Sequence, residues 1–280
     1  MLNLKLKKLK KILRDMEDVL IAYSGGVDST FLLKIAKETI GNKVLAVTAK
    51  SETYPKREYN QARKIARKLK VRHLTITTNE LSNSCFIANS TSRCYYCKKE
   101  LFTKLKQIVT SRGINYIADG TNCDDTDDFR PGMRAGEELD VRSPLREAGL
   151  IKEEIRLLSR KMKLPTWDKP AFACLASRFP YGDKITLQKL KMVDEAEDYL
   201  YKLGIKQVRV RHHVCAERSR RNSIARIEVS LKDIMPLTSP NIRKKIVKKF
   251  KEIGYHYVTL DLQGYRTGSM NEVLEKNESR

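Results

Sequence analysis

Two rhythms of apolar residues alternate along the first part of the chain. Strand-length stretches rich in β-branched and aromatic residues stand at 17–23 (EDVLIAY), 43–50 (KVLAVTAK), 71–78 (VRHLTITT) and 114–121 (INYIADGT). Between them, apolar residues return every three to four positions in FLLKIAKETIG (31–41), REYNQARKIARKLK (57–70) and CKKELFTKLKQIVTSRG (97–113). That periodicity predicts helices, two of them stopping at Gly41 and Gly113. Strands alternating with helices predict a parallel, doubly wound α/β sheet, which binds ligands at the carboxyl ends of its strands.

Past Gly182 the texture changes. A long amphipathic helix (185–204) precedes two alternating strands (206–213 and 223–230), a basic helix (241–255) and a final strand (256–262). This order suggests a smaller α+β domain, with the boundary at 182/183, after the turn-forming Pro180-Tyr181-Gly182. At the N-terminus, Leu2, Leu6, Leu9 and Leu13 recur at helical spacing among six basic residues, so the segment reads as a docked amphipathic surface helix. It is Lys-rich where a transit peptide would be Ser- and Arg-rich.

Charge adds little direction. The 280 residues carry a net +22. Residues 1–182 hold 35 basic and 21 acidic residues and residues 183–280 hold 21 and 13, so the excess is spread evenly. It fits a Lys-rich proteome from an unusual habitat, or polyanionic substrates such as ATP or nucleic acid. No apolar run approaches the ~18 residues of a membrane span. Six cysteines are too sparse for a disulfide scaffold. The expected setting is therefore a cytoplasmic protein, in which a close Cys pair means metal or redox chemistry.

The sharpest motif is Ser24-Gly25-Gly26-Val27-Asp28-Ser29-Thr30, between a strand and a helix. Two glycines allow a tight turn and close approach to a phosphate. Ser24, Ser29 and Thr30 offer hydroxyls, and the helix that starts here offers unpaired N–H groups. Asp28 cannot sit on bare phosphate but can hold Mg²⁺ that does. The motif lacks the GxxxxGK[ST] spacing of a Walker A loop. It resembles the pyrophosphatase loop (PP-loop) of enzymes that split ATP between its α and β phosphates. Asp119-Gly120-Thr121 follows the fourth strand and is expected to face the same crevice. Asp124, Asp125, Asp127 and Asp128 come next; Asp125 is a candidate Mg²⁺ ligand, and an acidic solvated loop is the competing reading.

Cys94-Tyr95-Tyr96-Cys97 forms a CxxC just before a predicted helix, and Cys174 stands in KPAFACLASRFPYG. If Cys174 folds back to the crevice, three thiolates could hold a 4Fe-4S cluster with one iron open for an extra sulfide. Alternatively Cys174, beside Arg178, is itself the sulfur donor. Cys85, Cys123 and Cys215 read as small buried hydrophobes.

SGGVDST, RCYYCKKELF, DGTNCDDTDDFRPG, KPAFACLASRFPYG, VRVRHH and YVTLDLQGYRTGSMNE together resemble the LarE family, from about residue 5 to residue 275. The resemblance implies an adenine nucleotide α-hydrolase-like fold, with a PP-loop ATP pyrophosphatase domain over 1–182 and a substrate-binding or oligomerisation domain over 183–280. It implies ATP-dependent sulfur transfer in nickel-pincer nucleotide biosynthesis. A pyridinium mononucleotide bearing two carboxylates would be adenylated, with release of pyrophosphate, then converted to thiocarboxylate. Ser24, Gly25, Gly26, Asp28, Ser29, Thr30, Gly120 and Thr121 would bind ATP. Cys174 matches the position that one branch sacrifices, whereas Cys94 and Cys97 suit a cluster branch. Sulfide or a desulfurase would resupply sulfur, and the family implies a homo-oligomer.

Arg178, Arg209 and Arg211 are candidates for the substrate's phosphate or carboxylates. Arg209 and Arg211 lie two apart on a strand, hence on one face. Glu195 could orient or deprotonate a reacting group, and Glu228 could do so or partner an arginine. Tyr95 and Tyr96 could stack on a ring or shield a cluster. A tRNA thiolase is the rival reading, weakened by the lack of a recognisable RNA-binding appendage.

Overall fold

The computed structural model describes residues 2–127, 131–171, 173–217, 220–270 and 272; for 126, 127, 216, 217, 220 and 221 it describes the backbone alone. The chain divides into two compact units. The first comprises residues 1–86 and 91–172, the second 87–90 and 173–280. The division therefore falls ahead of the turn at 180–182, and Cys174 and Arg178 belong to the second unit.

The first unit runs α1 (Leu2–Met16), β1 (Val19–Ala22), α2 (Val27–Ile40), β2 (Val44–Lys50), α3 (Lys56–Lys68), β3 (Arg72–Thr77), α4 (Ser84–Ile87, its last residue in the second unit), α5 (Arg93–Arg112), β4 (Tyr116–Ala118), α6 (Pro131–Glu138), β5 (Val141–Arg142), α7 (Pro144–Glu147) and α8 (Lys152–Lys161). Its five strands are all parallel in the order β3-β2-β1-β4-β5. The order reverses between β1 and β4, where Leu20 pairs with Leu45 on one side and Ile117 on the other. Both faces are covered. Val19 and Ile21 pack with Leu9 and Leu13 of α1, Phe31 and Leu32 of α2, and Ile155 of α8. Leu20 packs oppositely with Phe102, Leu105 and Val109 of α5 and Ala135 of α6. At about 1.5–3 kcal/mol per fully buried leucine, Leu9 and Leu13 dock α1 firmly.

Two sequence expectations change here, and further elements appear. The fourth strand is shorter than 114–121. The fifth, a two-residue strand, is too short to show a period, and α8 was not anticipated. Helix α5 begins at Arg93, so Cys94 and Cys97 sit inside it, one turn apart, rather than ahead of it.

The second unit holds α9 (Leu187–Lys202), β6 (Val208–Glu217), β7 (Arg220–Val229), α10 (Leu231–Thr238), α11 (Pro240–Ile253) and β8 (Tyr257–Leu260). Strands β6 and β7 are antiparallel, and β7 and β8 parallel. One face of this sheet is apolar: Val208, Val210, Ala225, Ile227 and Val229 pack with Leu200 of α9 and Phe250 of α11. The alternate positions carry Arg209, Arg211, Arg226 and Glu228, as the period of two requires. Residues 87–90 join this unit through Asn89, whose side chain donates to the carbonyls of Pro180 (2.6 Å) and Asp183 (3.1 Å). Among the described residues no helix is long and apolar enough to cross a membrane.

Candidate functional site

The phosphate loop follows β1 at the point where strand order reverses, the expected crevice of a doubly wound sheet. Gly25 has φ +65, and a Cβ there would lie 2.7 Å from Ala62 Cβ, so no other residue fits without movement. The Ser24 and Ser29 hydroxyls are 3.0 Å apart. The loop's carbonyls are already engaged: Tyr54 donates to Ser24 O (2.6 Å) and Lys169 to Gly25 O (3.0 Å). Lys169 is also ion-paired with Glu58 at 2.6 Å. Helix α2 has no side-chain cap, so its first N–H groups are what the loop offers an anion.

Thr30 follows Ser29 on α2. It is wholly buried, and its hydroxyl lies 3.3 Å from the Tyr23 phenol. Burial pushes the Tyr23 phenol up to about 12, so it acts as a neutral hydroxyl. Gly120 is needed at close quarters, since a Cβ would stand 2.9 Å from Ser29 N. Thr121 donates its hydroxyl to Asp119 (2.7 Å), and Ser143 donates to the same carboxylate (2.9 Å). Asp119, Thr121, Ser143 and Arg146 line a small cleft at the carboxyl ends of β4 and β5.

Asp28 faces the crevice from the first turn of α2. One oxygen accepts from Asn122 Nδ2 (3.4 Å) and the other is ion-paired with Lys152, the first residue of α8. Carboxylate oxygens are what Mg²⁺ takes, and here the Lys152 ammonium occupies one of them. Asp125 is less open: its side chain accepts from Asn122 N (3.0 Å), as Asp124 accepts from Lys152 N (2.9 Å). Asp128 and the side chain of Asp127 lie outside the described residues.

Cys94 is exposed and Cys97 half-buried, one turn apart on α5. The Cys97 thiol donates to Glu80 Oε1 at 3.8 Å. Glu80 is buried, and desolvation pushes its carboxyl up. Among the described residues no three His, Cys, Asp or Glu side chains group as a metal site. Tyr95 is turned to α6: its hydroxyl donates to Glu138 (2.7 Å), and the Arg134 guanidinium stands 4.3 Å from its ring centre. The Tyr96 phenol lies beside Cys85, whose proximity raises its pKa. The expectation of buried Cys85, Cys123 and Cys215 fails, because Cys85 is exposed and the others are half-buried.

In the second unit Cys174 precedes a single turn, Leu175–Arg178. Arg178, 1 % exposed, donates to the carbonyls of Ala173 (2.8 Å) and Cys174 (3.0 Å) and to Ser177 Oγ (2.8 Å). Its other nitrogens make a bidentate pair with Glu197 at 2.8 and 2.9 Å. Burial opposes both charges, but each partner outweighs it, raising the arginine's pKa and lowering the glutamate's. Glu197 also accepts from Val210 N (3.0 Å), capping the edge of β6. Glu195 is exposed on α9 and does not join this network. The signal for Glu197 was in the sequence: it interrupts the buried stripe Val193, Glu197, Leu200.

Arg211 donates to Glu228 (2.7 Å), Ser269 Oγ (3.0 Å) and Ser177 O (3.1 Å). Glu228 is wholly buried and also pairs with Arg226 (3.3 Å). Arg209 lies over the Tyr265 ring at 5.3 Å; burial, then the Arg178 charge, bring its pKa down to about 10. Arg178 pairs with Glu197, Arg211 and Arg226 with Glu228, and Arg226 and Arg266 with Asp261.

Comparisons with known proteins place this geometry. Residues 18–113 match a family model described as queuosine biosynthesis protein QueC, a span that takes in the phosphate loop and the CxxC. A pyridinium-3,5-bisthiocarboxylic acid mononucleotide synthase of Lactiplantibacillus plantarum is 37% identical over 265 residues, 94% of this chain and 92% of that one. The chain belongs to the LarE family. Two further relatives span it as fully. An uncharacterized protein of Synechocystis is 43% identical over 276 residues, 99% of this chain and 100% of its own, and one of Methanocaldococcus jannaschii is 30% identical over 268 residues, 94% and 98%. The LarE match covers both units, so it takes in Cys174 and the arginine network as well as the phosphate loop.

Proposed function

We propose that this protein is an ATP-dependent sulfur transferase that adenylates the carboxylates of a pyridinium dicarboxylate mononucleotide and converts them to thiocarboxylates. The match across more than nine-tenths of both chains to a synthase of that bisthiocarboxylic acid product carries the reading. The phosphate loop supports it: N–H groups of α2 and the Ser24 and Ser29 hydroxyls would hold the pyrophosphate end of ATP, where mostly positioning and electrostatics are required. Asp28 would hold Mg²⁺, which would neutralise the separating phosphates.

A substrate carboxylate oxygen attacks the α phosphorus, and pyrophosphate leaves. A sulfur nucleophile then adds to the acyl carbon, AMP leaves, and a thiocarboxylate remains. The buried guanidiniums of Arg209 and Arg211 suit the substrate's phosphate or carboxylates. A 4Fe-4S cluster held by Cys94, Cys97 and Cys174 would supply sulfide. Cys174 as a sacrificed donor is the second reading, favoured by the Arg178 clamp on its backbone. We place the protein in the cytoplasm as a homo-oligomer, resupplied by sulfide or a desulfurase.

The test is iron and acid-labile sulfide content with an absorption spectrum, on anaerobically purified wild type and Cys174→Ala. About four irons per chain, lost in the variant, support the cluster. No iron, with Cys174 losing the mass of H₂S after turnover, supports sacrifice. Tight, salt-sensitive tRNA binding without thiocarboxylate formation would overturn both.

A further inference from the structure

Lys152 and Asp28 belong to a closed circuit of the first unit. Lys152 Nζ pairs with Asp28; Asp28 accepts from Asn122 Nδ2; Asn122 Oδ1 accepts from Asp124 N (2.9 Å); and Asp124 Oδ2 accepts from the Lys152 backbone N (2.9 Å). The ring ties the N-terminus of α2, the loop after β4 and the N-terminus of α8. Asn122 is 1 % exposed and fixed at both ends of its side chain, whereas the Lys152 side chain keeps about a third of its surface in solvent. The backbone of Lys152 is pinned, and its side chain is the one part of the ring free to swing.

From this, we infer that Lys152 is a resident counter-cation that keeps Mg²⁺ off Asp28 until a nucleotide arrives. The inference rests on the proposed phosphate-loop function and deepens it. An ammonium and a divalent cation cannot share one partly buried carboxylate without strong repulsion. In the free protein the lysine therefore holds the oxygen the metal needs. A polyphosphate seated on the α2 N-terminus brings several negative charges within reach of the lysine's flexible stem. Lys152 transfers to phosphate oxygen, Asp28 is vacated, and metal enters. No bond is made or broken; two ion pairs are exchanged. By linkage, nucleotide tightens metal binding and metal tightens nucleotide binding by the same factor.

The experiment measures Mn²⁺ binding to the full chain by electron paramagnetic resonance, with and without the analogue whose α,β bridge is methylene. Wild type should bind Mn²⁺ weakly alone and roughly ten- to a hundredfold more tightly with the analogue. Lys152→Gln should bind Mn²⁺ at least about tenfold more tightly alone and lose most of that synergy. Asp28→Asn should abolish the gain in the Lys152→Gln background, and Lys152→Arg should restore the wild-type pattern. Wild type that binds the analogue, with Lys152→Gln giving an unchanged Mn²⁺ affinity, overturns this inference alone. Wild type that binds no analogue overturns the phosphate-loop reading and this inference with it.

Discussion

Replacing Glu197 by Gln tests whether the second unit is held by its buried charge pair. The amide keeps the shape and still accepts from Val210 N, so packing and the edge bond survive. What is lost is the negative charge opposite Arg178, which is 1 % exposed. Leaving one partner of such a pair uncompensated costs about 3–5 kcal/mol. For a chain of this size that corresponds to a fall in melting temperature of roughly 10 °C. Amide exchange at Val210, whose N–H meets Glu197 directly, gives a local probe beside circular dichroism. The pH dependence has a definite sign. Folding lowers the Glu197 pKa, so its contribution is complete above the ordinary carboxylate value of 4.5 and fades as pH falls through the lower folded value. Wild type and variant should therefore differ fully at neutral pH and converge in strong acid. An apolar double variant, Arg178→Met with Glu197→Leu, should recover part of the loss, because it leaves no unpaired charge. A neutral-pH loss below about 1 kcal/mol, the scale of an exposed pair, would refute the reasoning.

Gly25→Ala should abolish ATP-analogue binding and destabilise by at least about 1–3 kcal/mol, from the left-handed backbone and the Ala62 clash; calorimetric titration beside a melting curve checks both. His212 is 2 % exposed between Phe179 and Tyr255, and burial brings its pKa down to about 4. Unfolded, it would take a proton near 6.5, so stability should fall by about 2–3 kcal/mol as pH drops from 6.5 to 4. His212→Phe should flatten that slope, and an imidazole resonance titrating near 6.5 in the folded protein would contradict it.

Local signals carried the first unit far. A strand, SGGVDST and a helix in that order imply a loop at a switch point, because only small residues permit the turn and only a helix start offers free N–H groups. What stayed hidden was assembled from distance. Nothing near Lys152 or Lys169 marks them as neighbours of residues 24–28; the fold brings them there across more than a hundred positions. Thr30 looked like its neighbours Ser24 and Ser29, yet helical geometry turns it inward. The turn at 180–182 is real, with Gly182 at φ +88, but it lies within the second unit. A turn records a local reversal and not where packing thins. Glu195 and Glu197 shared a helix and a chemistry, and only the apolar stripe distinguished them.

Asn89 has a consequence for how the protein is made. Residues 87–90 pack with 180–185: Gly182 N donates to Asn89 O (3.1 Å) and Ile185 N to Ile87 O (3.0 Å). At a synthesis rate of ~5–20 residues per second, this short segment waits several seconds on the ribosome for its partners. The second unit therefore completes itself only around a piece of chain laid down before the CxxC was made. A gene fragment encoding residues 173–280 alone lacks that piece, so splitting the protein at the obvious joint removes part of what it was meant to isolate.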